Sequence, residues 1–156
     1  MTNLEGIDWT GTLLGRSDRI TSAVPVISRK SGTYGNLLID IRKLEIALKP
    51  AKEEEIMTQL ARLRLHFSAG YVTTEEFKYL LKDYIADLAQ YPKDLIETAC
   101  NEYRRNTENQ FFPKIGQLIK LIQDPWFKRK GKLIRLKKLL EVSNQAHEEE
   151  QREKAK

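Results

Sequence analysis

The sequence predicts an all-α protein. It reads as a small bundle of about five helices, with a flexible arm over residues 1–35 and a charged tail over 143–156 that is either an exposed helix end or a disordered segment. Three observations carry that reading. Apolar residues recur at helical spacing in successive blocks from residue 36 onward. Pro50, Gly70, Pro92 and Pro113 fall at the edges of those blocks. Alternation of the strand type is almost absent, and no internal repeat stands out. The helical domain is expected over 36–142, with its core over about 50–140.

The arm holds Gly6, Gly11, Gly15, Gly32 and Gly35 among many Ser and Thr, with little periodicity. Its apolar residues (Ile7, Trp9, Leu13, Leu14, Val24, Val26, Ile27) suit either a disordered or weakly docked segment or a short peptide that orders on a partner. From Asn36 to Leu48 the residues Leu37, Leu38, Ile41, Leu44, Ile46 and Leu48 suit one amphipathic helix, stopped near Pro50. In Ala51 to Ser68, Ile56, Leu60, Leu63 and Phe67 share a helical face. Glu53, Glu54 and Glu55 meet the positive end of that helix dipole, and Gly70 supplies a left-handed stop. Val72-Thr73-Thr74-Glu75-Glu76-Phe77 is the strongest local signal. Thr73 is placed to cap, Glu76 to return the bond, and Val72 to pack on Phe77.

The helix so started should run to about Ala89 with Phe77, Leu80, Leu81, Tyr84, Ile85 and Leu88 inward. Pro92 opens the next at its first helical position, with Leu95, Ile96, Ala99, Cys100 and Tyr103 as its stripe. Cys100 reads as a small buried hydrophobe rather than a reactive thiol. Pro113 opens a short helix carrying Ile115, Leu118, Ile119 and Ile122, and Asp124-Pro125 repeats the start signal. A separate long helix is then expected, with Trp126, Phe127, Leu133, Leu136, Leu139 and Leu140 on its apolar side and a bend or break at Gly131.

Composition excludes several functions. The 156 residues are 40% hydrophobic and 31% charged, with no apolar run long enough for a membrane span. Met1 to Gly15 lacks the basic-then-apolar pattern of a secretory signal, and the single cysteine suits a reducing compartment, so a cytoplasmic location is expected. Two histidines and one cysteine do not make a zinc site of the usual kind. The carboxylate runs (Glu53 to Glu55, Glu75-Glu76, Glu148 to Glu150) lie at helix ends or on the tail, and His66 alternates with Arg62 and Arg64 on a polar face. No phosphate-cradling glycine pattern and no nucleophile with a base occur. The expectation is a protein without catalytic residues, cofactor or metal.

The formal charge of +5 and pI of about 9.3 favour anionic partners. The strongest charge feature is Lys128, Arg129, Lys130, Lys132, Arg135, Lys137 and Lys138, seven cations with no acid among them. On a helix they form a strip able to neutralise phosphates, with Trp126 and Phe127 beside it to stack on bases. The competing reading is a solvated face that complements the acidic tail, with both aromatics in the core.

From Phe77 to Ile122 the order is an amphipathic helix ending Leu88-Ala89-Gln90-Tyr91-Pro92, then Leu95-Ile96-Glu97-Thr98-Ala99-Cys100-Asn101-Glu102-Tyr103. After it come a polar link and Phe111-Phe112-Pro113-Lys114-Ile115-Gly116-Gln117-Leu118. This layout resembles the phage helicase loader and inhibitor family, and a set of prophage-borne proteins like it, over 45 to 70 residues. The resemblance implies a helical adaptor that binds a replicative DNA helicase, restrains it and helps deliver it to an origin, with no ATPase of its own. This chain departs from the family in its longer N-terminal arm and its basic C-terminal segment.

Phe111, Phe112 and Lys114 are the candidate partner surface, and the seven cations from Lys128 to Lys138 the candidate nucleic-acid surface. The leading expectation is a replication accessory protein bound to a replicative helicase or initiator. A DNA-binding regulatory or packaging adaptor is the second, and an interaction protein that self-associates through its apolar helix faces the third.

Overall fold

The structure is a computed structural model that describes residues 32–68, 70 and 72–156. The expected arm over 1–35 therefore lies outside the described residues except at its end. Residues 32–35 are helical there. Five α-helices and no strand occur among the described residues: α1 Gly32–Ala47, α2 Glu53–His66, α3 Thr74–Leu88, α4 Lys93–Arg105 and α5 Ile115–Lys154. Among the same residues no helix is long and apolar enough to cross a membrane.

The chain divides into two compact units. Leu48–Lys128 forms one, and residues 32–47 with Arg129–Lys156 form the other. In Leu48–Lys128 the stripes of α2, α3, α4 and the first turns of α5 close on one core. Ile56, Leu60, Leu63, Leu88, Ile96, Leu118 and Ile122 are almost wholly buried in it. The stripe expected on α4 is buried residue for residue. Burial pushes the Cys100 thiol up to about 12, with the Glu97 carboxylate adding to it, so the thiolate needed for reaction is scarce.

The caps follow local chemistry. Thr73 Oγ1 accepts from the Glu76 N–H (3.1 Å) and starts α3 as expected. Pro92 precedes α4 as its N-cap residue, one position before the first helical residue. The α2 helix stops at Phe67, whose backbone is extended and whose N–H donates to the Leu63 carbonyl (2.9 Å). Gly70 holds φ of 76°, the left-handed region an L side chain rarely adopts, but in the loop beyond the stop.

At the start of α2, Glu55 Oε1 accepts from the Lys52 N–H (3.0 Å), and Glu55 Oε2 lies 3.2 Å from Lys93 Nζ. The backbone bond first, and the ammonium second, hold this carboxyl below its ordinary range. A carboxylate depressed in the folded state contributes stability in full above its ordinary value, and loses it as pH falls through the lower folded-state value. Denaturation followed across that acid range should therefore fall more steeply for the wild type than for Glu55→Gln, and the gap between them should narrow with acidification.

The second unit is built from α1 and the part of α5 beyond Arg129. Three contacts set their direction. Tyr34 Oη donates to Asn144 Oδ1 (3.0 Å), Lys137 Nζ lies 3.6 Å from Glu45 Oε1, and Arg129 Nη1 donates to the Ala47 carbonyl (2.8 Å). Rising numbers on one helix meet falling numbers on the other, so the two run antiparallel. Leu37, Ile41, Leu44, Leu136 and Leu139 form the core between them. Packing of Tyr34 on that core explains why α1 starts at Gly32 rather than at Asn36.

Two expectations need correction. The short helix from Pro113 and the long helix after Asp124-Pro125 are one 40-residue helix, α5, with Pro125 inside it. A proline there removes the donor for the Leu121 carbonyl and costs about 3 kcal/mol in a helix interior. Burial of Ile122, and Trp126 packed edge-on against Tyr91 (4.9 Å between centroids), oppose that cost. The helix also runs through Gly131 without a break; it continues to Lys154, and of the two readings of the charged tail the helix end is the one observed.

Candidate partner-binding site

The loop between α4 and α5 places an aromatic ring in water on a firmly held backbone. Asn106 ends α4, its N–H donating to the carbonyls of Glu102 and Tyr103. Its side chain accepts from the Glu108 N–H (3.0 Å), which tightens the following turn. Asn109 Nδ2 donates to the Tyr103 carbonyl (2.9 Å). The chain then passes through Phe111, Phe112 and Pro113 in an extended path, Phe111 pairing with Ser68 in an isolated parallel bridge.

Three hydrogen bonds hold that path. The Tyr103 hydroxyl donates to the Phe111 carbonyl (2.7 Å), the Phe112 N–H donates to the Ser68 carbonyl (3.0 Å), and the Tyr84 hydroxyl donates to the Pro113 carbonyl (2.7 Å). Burial pushes both phenols above the ordinary tyrosine range, so both remain protonated donors at neutral pH. Phe112 turns inward, half-buried against Phe77 (5.6 Å, edge-on) and Tyr84 (5.8 Å), and Pro113 is fully buried. Phe111 points the other way and is 66% exposed. Of the two expected partner-binding aromatics, Phe112 is a packing residue and Phe111 a surface one.

Lys114, three residues after Phe111, is exposed and starts α5. Its N–H donates to Gln117 Oε1 (2.9 Å), and the Gln117 N–H donates to its carbonyl (3.0 Å). This is the return half of a capping box, built without a Ser or Thr at the cap. The glutamine three residues after Lys114 was its signal in the sequence.

The basic strip is less uniform than its spacing suggests. Arg129 is 8% exposed and donates to the Ala47 carbonyl near the end of α1, so it leaves the candidate nucleic-acid surface. The reason is electrostatic: a helix C-terminus carries unpaired carbonyls and the negative end of the dipole, and a guanidinium satisfies both. Lys128, Lys130, Arg135, Lys137 and Lys138 are exposed, and Lys132 is half-buried. Lys137 faces Glu45, and Lys138 lies 3.8 Å from Glu141 Oε2. Arg135 Nε donates to the Gly131 carbonyl (3.1 Å). Exposed ion pairs of this kind contribute about 0–1 kcal/mol each, so they leave these cations open to exchange partners. Trp126 is half-buried against Tyr91, while Phe127 beside it is largely exposed.

Among the described residues no group of three or more His, Cys, Asp and Glu is arranged to hold a metal ion. His66 is exposed at the end of α2. Comparison of the chain with protein-family models, curated proteins and solved structures finds no match.

Proposed function

We propose that the protein is a non-enzymatic accessory factor of DNA replication, of the phage or prophage kind. It binds a replicative helicase or initiator in the cytoplasm and loads or restrains it. One observation supports this reading most: Phe111 stands exposed on a segment whose Phe111 and Pro113 carbonyls and Phe112 N–H are all hydrogen-bonded. An aromatic ring on a backbone already held in one conformation loses little further freedom when a partner covers it, and so makes an efficient anchor. Lys114, three residues further along and also exposed, offers a cation to the same partner. The residues that build this surface are those on which the resemblance to helicase loaders rests.

Gel filtration of the full chain with a hexameric replicative helicase, from its own genetic neighbourhood or host, tests the reading. Co-elution and a changed ATPase or unwinding rate are expected. A helicase that elutes alone with unaltered rates would remove it.

A second reading, direct binding of DNA, is favoured by exposed Phe127 beside the cation Lys128 and by the exposed Lys130 and Arg135 further along α5. It predicts an affinity for single strands that falls steeply with salt. The triple change Lys130→Glu, Lys132→Glu and Arg135→Glu should abolish retention on DNA. Unchanged retention would make the strip a solvated face.

A further inference from the structure

Helices α2 and α3 enclose an open groove of about 560 Å³, well away in sequence from the Phe111 segment. Its floor is carbon. Ile56 belongs to the core, and Leu81 and Ile85 pack on it from the α3 side. Met57 forms one wall and is 45% exposed. On the other wall Ala86 and Ala89 are too small to fill the space. The charged groups stand at the lips: Lys78 and Lys82 one turn apart on α3, and Glu53 on α2. No ion pair engages either lysine among the described residues. Glu53 sits in the first turn of α2, where the positive end of the helix dipole offsets its charge. Two ammonium groups, one of them over the Tyr79 ring at 5.9 Å, against one carboxylate leave the lips with a net positive charge.

We propose that this groove docks an acidic amphipathic helix of a protein partner, with its apolar side chains on Met57, Leu81 and Ile85 and its carboxylates against Lys78 and Lys82. The chemistry of the walls selects that occupant. Both walls are helices whose backbone amides bond internally, so an added β-strand finds no ladder to join. A small ligand needs polar groups converging on the floor to fix its orientation, and here the charged groups lie at the rim. A nucleic-acid strand would set phosphates over a carbon floor. An apolar helical stripe matches the floor, carboxylates match the two lysines, and methionine adapts its shape to the guest. The surface is separate from Phe111 and stands or falls without it.

The test uses two fluorescein-labelled peptides of about 16 residues with the same leucine stripe at helical spacing, one carrying Glu and the other Lys at the polar positions. Each is titrated with the full chain and read by anisotropy. The Glu peptide should bind at least about tenfold more tightly, with the preference shrinking as salt rises. Ala86→Trp should block binding by filling the groove, and Lys78→Glu with Lys82→Glu should invert the preference. Phe111→Ala should leave it unaltered. Equal binding of both peptides would overturn the proposal. So would wild-type affinity in Ala86→Trp, or an uninverted preference in the lysine variant. Light scattering that shows a wild-type dimer made monomeric by Ala86→Trp would assign the groove to a second copy, and overturn it as well.

Discussion

Replacing Leu60 by alanine should lower the unfolding free energy by about 2–5 kcal/mol, the range for a buried leucine truncated in a core that collapses only partly. Leu60 is fully buried on α2, between Ile56 and Leu63 on the same stripe, in the core of Leu48–Lys128. The control lies on the same helix. Leu65 is 85% exposed, and Leu65→Ala should stay within about 0.5 kcal/mol of wild type. Urea denaturation followed by circular dichroism measures both. Equal effects at the two positions would mean that α2 presents a different face to the core.

The second large effect is expected at Arg129, which composition groups with the surface cations. Arg129→Ala removes a guanidinium that donates to the Ala47 carbonyl, and leaves that carbonyl near the end of α1 without its charged donor. A hydrogen bond to a charged group contributes about 1.5–3 kcal/mol, and a loss of that size is expected on denaturation. Lys128→Ala, one residue earlier and exposed, should change stability by no more than about 0.5 kcal/mol. If Arg129→Ala instead weakens DNA retention while leaving the melt unaltered, the side chain belongs to the outer surface and the packing described for α1 is wrong.

The contrast between these residues shows which features of the molecule are written locally. The Thr73 cap and the α4 stripe depend on residues three or four positions apart, and both were legible as spacing. Pro92 was legible to within one residue, because its fixed φ and absent donor mark a helix start in any context. Pro125 carries the same local mark yet lies inside α5, because the packing of Ile122 and Trp126 outweighs it, and no local pattern contains that packing.

The candidate site divides along the same line. The doublet Phe111-Phe112 marks the place, but spacing alone does not say which ring faces water. That depends on Tyr84, whose hydroxyl reaches a carbonyl 29 residues away, and on the Phe112 N–H bonded to Ser68. Both tyrosines read as stripe members, and the role of their hydroxyls was not visible. Arg129 is the extreme case, its partner lying 82 residues away in the chain. Runs of like charge record composition along a helix, whereas burial depends on which neighbour arrives.

The most direct measurement titrates the replicative helicase with the wild type, Phe111→Ala and Phe112→Ala, and records the thermal melt of each. Phe111→Ala should weaken binding by about tenfold or more at an unaltered melting temperature, as removal of an anchoring side chain does. Phe112→Ala should melt earlier, because its ring packs on Phe77 and Tyr84. A Phe111→Ala protein that binds helicase as tightly as wild type would contradict the account.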